Sequence, residues 1–104
     1  NMKPEILAPG VQIISAGEQN AWYSSSGTSD STVFVAGALA LILQEYPQLK
    51  PSSNSNGSCI DAVKEALMDS TTTPNVAPNH DSKEGYGVLN AEKWYQEVGK
   101  ITNC

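Results

Sequence analysis

The stretch that decides the fold is residues 26–43, which read SGTSDSTVFVAGALALIL. Its second half is almost wholly apolar, and Pro47 follows as a stop signal, so the stretch predicts a helix from about residue 28 to residue 46. Apolar side chains fall on every side of that helix, which predicts a long central helix that is buried all round. A chain of 104 residues has too little other apolar sequence to surround it, so the pattern indicates part of a larger body.

The segments on either side of this helix are short. Apolar runs bounded by Pro, Gly and polar residues are typical of strands, and here they predict strands at about 5–8, 11–16, 21–25 and 86–89. The polar residues 17–20 between the second and third runs predict a hairpin. Apolar residues at helical spacing predict further helices at about 59–69 and 90–98, with Asn90 as the cap of the last one.

Composition and charge make several classes of partner improbable on physical grounds. The formal net charge is -5, and the six basic residues are scattered, so no basic stripe is present that would bind a phosphate backbone; we expect no nucleic acid partner. The longest apolar run, residues 33–43, is well short of the roughly 20 residues that cross a bilayer, so no membrane span is predicted. The first residues lack the basic and apolar parts of a signal peptide, and we expect no export signal within this chain.

The two cysteines, Cys59 and Cys104, are too few and too far apart for a zinc framework. No His or Cys lies near either of them, so no metal site is predicted. The sequence leaves two alternatives open: the thiols pair with each other in an oxidising compartment, or both remain free.

The start of the long helix, where Gly27, Thr28 and Ser29 follow one another, is the candidate site for a nucleophilic serine. A nucleophilic serine needs an exposed hydroxyl, a base that takes its proton, and hydrogen-bond donors for the oxyanion. The first amides of a helix have no partner inside it, so the Ser29 amide is placed to act as such a donor. Locally, however, a Ser or Thr before a helix is more often only an N-cap, and both readings stand at this point.

The order of several blocks along the chain resembles the end of the subtilisin-like (subtilase) serine proteases. The blocks are KPEILAPGV at residues 3–11, IISA at 13–16, SGTS at 26–29, VAGA at 35–38, ALIL at 40–43 and GYGVLNA at 85–91. The resemblance extends from Lys3 to about Trp94, and the spacing of the Ala-Pro-Gly and Gly-Thr-Ser blocks makes it quite specific.

This resemblance implies an α/β fold: the C-terminal portion of a three-layer structure with a mostly parallel sheet, with residues 1–104 forming the C-terminal part of a single catalytic domain. It implies a serine endopeptidase, competent only with the N-terminal part of the domain, supplied covalently or as a separate chain. That part holds the family's catalytic aspartate, histidine and oxyanion asparagine, which no motif here matches. The alternatives are a catalytically inactive binding or regulatory module and an independent small domain.

The resemblance also assigns roles to residues. Ser29 is the residue that attacks the peptide carbonyl and forms the acyl-enzyme, and its backbone N–H forms half of the oxyanion hole. Thr28 lies beside that hole, where it can add a donor, and Gly27 lets the backbone turn sharply beside the substrate. The implied partner is a protein or peptide substrate and the implied location is secreted or cell-surface. No cofactor is expected from this chain, and a structural calcium ion is suggested by the resemblance alone.

Two residues near these motifs need separate treatment. The family usually continues from the serine with Met-Ala, whereas this chain has Asp30 and Ser31. A carboxylate at Asp30 would oppose negative charge in the transition state, or it would simply complement the helix N-terminus, and the sequence leaves both open. His80 lies in a loop where the family has no catalytic role, so we expect a surface-loop histidine there.

Overall fold

The computed structural model describes residues 3–50, 58–72 and 80–101 together with Cys104. Two strands, β1 and β2, span Ile13–Ala16 and Trp22–Ser25, and three helices, α1, α2 and α3, span Thr28–Glu45, Ser58–Asp69 and Ala91–Val98. Single 3-10 turns cover Glu18–Asn20 and Pro47–Leu49. All three predicted helices are therefore confirmed to within one residue at each end. Within the described ranges, no helix is both long and apolar enough to cross a bilayer.

The hydrophobic core lies where α2 and α3 pack together and against one side of α1. Its centre is Trp94, which is 1% exposed and whose indole N–H donates a hydrogen bond to the Val63 carbonyl at 3.0 Å. This bond lets the polar end of the ring be buried without cost from an unpaired donor. The buried apolar residues are Ile42, Leu49, Cys59, Val63, Ala66, Leu67, Trp94 and Val98.

Helix α1 has two apolar faces, and the described residues pack against only one of them. The packed face recurs at helical spacing and consists of Val35, Ala38, Leu39, Ile42 and Leu43. On the remaining surface, Val33 is 63% exposed and Leu41 is 69% exposed.

Within this chain α1 is not buried all round, since Ile42 is its only buried residue. This agrees with the expectation that a chain of this length cannot surround the helix, and burial of the remaining surface in a larger body stays a prediction. The partial exposure of α1 has a simple physical reason, which is that too few other described elements are present to cover it. The two other helices cover a single face of α1, and the described residues contain no third layer that could cover the opposite face.

The predicted hairpin is confirmed: β1 and β2 pair antiparallel, with Ile13 opposite Ser25 and Ala16 opposite Trp22. Strand β1 begins two residues later than predicted. The cause is Gln12, whose φ of 53° is incompatible with an extended strand. Its amide donates to the Ser26 hydroxyl at 2.8 Å, which fixes this departure beside the end of β2.

The runs predicted as strands at 5–8 and 86–89 meet, but through a single parallel bridge between Leu7 and Val88. The Leu7 amide donates to the Gly87 carbonyl at 2.8 Å, and the Leu89 amide donates to the Leu7 carbonyl at 2.7 Å. On its other side Val88 pairs antiparallel with Thr72. The mostly parallel sheet is thus not found in the described residues, because parallel sheets form where both of their faces are covered, and these residues supply only this one short parallel pairing.

The structure settles the state of the cysteines, since Cys59 and Cys104 form a disulfide. Cys59 is buried at the start of α2, whereas Cys104 is exposed. The bond therefore connects the end of the chain to the core across a sequence separation of 45 residues.

A cluster of charges holds the segment before Leu7 onto α2. Glu5 accepts hydrogen bonds from the ammonium groups of Lys3 and Lys64, the latter at 3.0 Å. These bonds, with that from Lys3 contributing most, lower the pKa of the Glu5 carboxyl to about 2.

We predict that replacing Cys104 with Ser lowers the free energy of unfolding of the intact protein by about 4 kcal/mol, since a disulfide that closes a loop of this length restricts the unfolded chain. Cys104→Ser is preferable to a change at Cys59 because it leaves the core intact. Urea denaturation measures the loss. Dithiothreitol should destabilise the wild type to the same degree and leave the variant unaffected; a variant as stable as the oxidised wild type contradicts the prediction.

We further predict that Glu5 makes stability dependent on acid pH. Its pKa is lower in the folded state than its ordinary value of 4.5, so its contribution is complete above 4.5 and is lost as the pH falls towards 2. The loss should be about 1 kcal/mol, because the exposed lysines are screened by solvent. Urea denaturation across this range should show a smaller decline for Glu5→Gln than for the wild type; parallel declines would refute the prediction.

Candidate active site

Ser29 is the second residue of α1, and it is exposed. Neither its amide nor its hydroxyl has a hydrogen-bond partner anywhere in the described ranges of the chain. The amide N–H groups of a helix's first turn point out of its N-terminal end and carry partial positive charge. The structure therefore presents a serine hydroxyl and an available amide donor on the same residue.

The turn before Ser29 depends on Gly27, which precedes α1 and has a φ of 153°. Side-chain-bearing residues rarely adopt this conformation, so a glycine is required for the sharp entry into the helix. The Gly27 carbonyl accepts from the Asp30 amide at 3.2 Å and closes the first turn. The Gly27 amide donates to the Gly10 carbonyl at 2.7 Å, which connects this turn to the distant segment around Pro9.

The loop at Pro9 and Gly10 packs closely against the first turn of α1. The Ser31 hydroxyl lies 3.0 Å from the Ala8 carbonyl and 3.1 Å from the Pro9 carbonyl. A Cβ at Gly10 would lie 2.9 Å from the Gly27 carbonyl oxygen and would also collide with the Ser31 hydroxyl. Gly10 is therefore required by the close approach of the two backbones.

Asp30 is half-buried, and its Oδ1 accepts a hydrogen bond from the Ser25 hydroxyl at 2.7 Å. Ser25 is the last residue of β2, and Asp30 is the third residue of α1. This bond joins the two ends of the turn that contains Ser29. The carboxylate also lies in the first turn of a helix, where a negative charge is favourable.

Two depressions in the surface differ in their chemistry. One, of about 470 Å³, is shallow and lies beside the Ser29 turn; its lining residues are Ala8, Gly10, Val11, Ser26, Gly27, Thr28 and Ser31. The other, of about 260 Å³, lies between the three helices and is lined by apolar side chains together with the methylene stem of Lys64. Only the first places exposed backbone and hydroxyl groups next to Ser29, so it is the one that suits contact with a peptide.

His80 is not placed near Ser29 by any contact in the described part of the chain. Its Nε2 lies 2.7 Å from the Pro4 carbonyl oxygen, and its ring meets the Tyr86 ring edge-on with centroids 5.2 Å apart. It is half-buried rather than a free surface side chain, which corrects the sequence-based expectation. The reason is that Pro4, near the start of the chain, and Tyr86 both contact the His80 ring. Over the same described ranges, no three His, Cys, Asp or Glu side chains are grouped to hold a metal ion.

The structure thus brings together Gly27, Thr28, Ser29 and Asp30, as their adjacency requires, and adds two residues that sequence reasoning missed. These are Ser25 and Ser31, whose hydroxyls tie the flanking segments to the turn. No sequence periodicity marks a hydroxyl for such a contact. The only signal available was the clustering of serines on both sides of Gly27.

Comparison with known proteins gives a consistent result. A family model described as the subtilase family matches residues 1–87. Among curated proteins, the chain is 34% identical over 101 residues to a C5a peptidase of Streptococcus pyogenes, covering 89% of this chain and 8% of that protein. It is 37% identical over 109 residues to the serine protease AprX of Bacillus subtilis, covering 86% of this chain and 21% of that protein.

Solved structures also resemble this chain. The patellamide maturation protease PatA aligns with a TM-score of 0.66 at 27% identity, over 96% of this chain and 35% of that one. The prenylagaramide maturation protease PagA aligns with a TM-score of 0.63 at 32% identity, over 93% of this chain and 34% of that one. The chain spans about a fifth or less of the curated relatives' lengths, at 8% and 21%.

We predict that Gly10→Ala disturbs the Ser29 turn. The added methyl group must push the Pro9 loop away from α1, at a cost of about 1 to 3 kcal/mol. Urea denaturation of the intact protein gives the loss of stability, and hydrogen exchange at the Gly27 amide should become faster as its bond to Gly10 weakens. Val11→Ala is the matched control, because the Val11 side chain is 76% exposed in the same loop. Equal behaviour of the two variants would contradict the proposed close packing.

Proposed function

Because the chain belongs to the subtilase family, we propose that it carries the nucleophile of a serine endopeptidase. The observation that supports this most directly is the placement of Ser29, an exposed serine whose hydroxyl and amide are both unengaged at the start of α1. An N-cap serine, by contrast, accepts a hydrogen bond from an amide of the first turn. Gly27 holds the N-cap position here, and its backbone conformation leaves the Ser29 side chain outside the helix's own hydrogen bonds.

The proposed reaction is acyl transfer. The Ser29 Oγ forms a bond to the scissile carbonyl carbon while a base takes the hydroxyl proton, and the carbonyl electron pair moves to oxygen. The Ser29 amide donates to that oxyanion, and Thr28 lies next to it. The C–N bond then breaks, the proton passes to the leaving amine, and water releases the acyl group from Ser29.

The base is supplied from outside the described residues. His80, the only histidine of the sequence, is bonded to the Pro4 carbonyl and meets the Tyr86 ring edge-on. We assign the catalytic histidine and aspartate to an N-terminal part of the same domain, present covalently or as a second chain. Residues 1–104 are then the C-terminal part of that domain.

The unpacked face of α1 supports this assignment. A helix that is apolar on two faces is stable in water only when both are covered. Val33 and Leu41 are more than half exposed, and Phe34 is 40% exposed. Large exposed apolar areas of this kind mark a contact surface, and the N-terminal part of the domain is the occupant that the proposed function requires.

The Cys59–Cys104 disulfide supports a secreted or cell-surface location, because such bonds persist mainly in oxidising compartments. The proposed substrate is a protein or peptide that lies along the depression beside Thr28. The structural calcium ion that the family resemblance suggested stays a prediction, and the proposal contains no step that depends on one.

We predict that a fluorophosphonate probe modifies Ser29 in the intact protein, meaning this chain joined to or reassembled with the N-terminal part of its domain, and that Ser29→Ala abolishes both labelling and peptide hydrolysis. The residual hydrolysis should be lower by about three orders of magnitude or more, because oxyanion stabilisation alone leaves little activity. Mass spectrometry of the labelled peptide identifies the modified residue, and hydrolysis of a casein substrate gives the rate.

Ser24→Ala serves as the control, since Ser24 is an exposed serine of the nearby strand β2. It should label and hydrolyse at the wild-type rate. A folded wild type that neither labels nor hydrolyses would overturn the proposal. That result would favour the alternative, a catalytically inactive subtilase-like module that binds or regulates.

A further inference from the structure

The two positions that depart from the family's usual Met-Ala sequence, Asp30 and Ser31, share one structural property. Both side chains are half-buried, and each forms a hydrogen bond to a segment that flanks the Ser29 turn. Asp30 is bonded to the end of β2 through Ser25, and Ser31 is bonded to the backbone at Ala8. Asp30 and Ser31, the two residues that differ from the family's usual sequence, are therefore connected to the segments around Ser29 by hydrogen bonds.

The Ser25–Asp30 bond is of a strong type. A carboxylate only accepts hydrogen bonds, so the Ser25 hydroxyl is the donor, and bonds to charged acceptors are shorter and stronger than neutral ones. The distance of 2.7 Å fits this description. The bond spans the four residues from Ser26 to Ser29 and so closes a ring around the turn that presents the nucleophile.

The same contact bears on whether Asp30 opposes catalysis. An uncompensated carboxylate next to a developing oxyanion would slow the reaction. The Asp30 carboxylate, however, is partly compensated by the Ser25 hydroxyl and by the positive end of α1. Both interactions stabilise the negative charge of the Asp30 carboxylate before any substrate is present.

We propose that Asp30 is a positioning residue, which fixes the Ser29 turn by accepting the hydrogen bond of Ser25. This inference rests on the proposed function, because it assigns Asp30 a part in presenting the nucleophile. The role requires an oxygen acceptor at residue 30 and a hydroxyl donor at residue 25. It does not require the negative charge itself.

The test uses the intact protein with Ser25→Ala, Asp30→Ala, the double variant and Asp30→Asn. The rate of fluorophosphonate labelling at Ser29 should fall about tenfold in each alanine variant, since each removes a hydrogen bond to a charged group. The double variant should be no slower than either single one, because all three lack the same bond. Asp30→Asn should lose less of the rate than either alanine variant, as its amide oxygen still accepts from Ser25 through a weaker, neutral bond.

Two further measurements separate positioning from general loss of structure. For peptide hydrolysis the alanine variants should show a lower kcat with little change in KM, while Ser24→Ala should behave as the wild type. Hydrogen exchange at the amides of Asp30 and Ser31, which bond to the Gly27 carbonyl, should be faster in the alanine variants than in Asp30→Asn.

The outcomes distinguish this inference from the proposed function. If the wild type labels and Asp30→Ala is equally fast or faster, the positioning role is wrong and the carboxylate acts as a brake. Additive slowing in the double variant also overturns it. If the wild type does not label, the proposed function fails; unchanged hydrogen exchange in Ser25→Ala and Asp30→Ala then refutes the structural part of the inference as well.

Discussion

The hydrogen bond from the Gly27 amide to the Gly10 carbonyl joins two segments that are 17 residues apart in the chain, and the local structure around Ser29 depends on it. It is possible because Gly10 carries no Cβ that would collide with the Gly27 carbonyl, and because Gly27 adopts a φ of 153°. Once the two segments meet, the Ser31 hydroxyl reaches the carbonyls of Ala8 and Pro9. The first turn of α1 is then held from outside the helix, which leaves the Ser29 amide available for a ligand.

Helix α1 illustrates how a helix can serve a core and a site at once. Its packed face contributes Ile42 to a core centred on Trp94, so the axis of the helix is fixed by apolar burial. Its first turn projects from that core with polar and hydroxyl residues. Rigid packing behind an exposed first turn is a sound way to hold a nucleophile, because sites on regular elements are positioned more accurately than sites on loops.

The sequence was sufficient to predict what depends on local patterns. Helical spacing around Val63 and the cap at Asn90 predicted α2 and α3, and Pro47 predicted the end of α1. The sequence also indicated that this chain alone cannot surround α1, but it could not identify which face is left uncovered, because that depends on which surfaces pack against Val33 and Leu41 rather than on their own hydrophobicity.

At the site, the sequence itself shows that Gly27 and Ser29 lie two residues apart, and the family resemblance supplied their proposed roles. The contact between Ser25 and Asp30 was not readable, since it requires β2 to end beside the first turn of α1. The cysteine pairing was likewise open, because 45 residues of intervening chain say nothing about the distance between the thiols. Interactions of this kind follow from the fold and cannot be read from short motifs.

The covalent bond between Cys59 and Cys104 also affects what happens when the backbone is cut. A single nick at any point between these two residues leaves the resulting pieces attached, and α3 remains tethered to α2. Such a nicked molecule remains one covalent species, heavier by one water, until a reductant separates the fragments. This arrangement gives the helical core tolerance to a single cleavage of the backbone between the two cysteines.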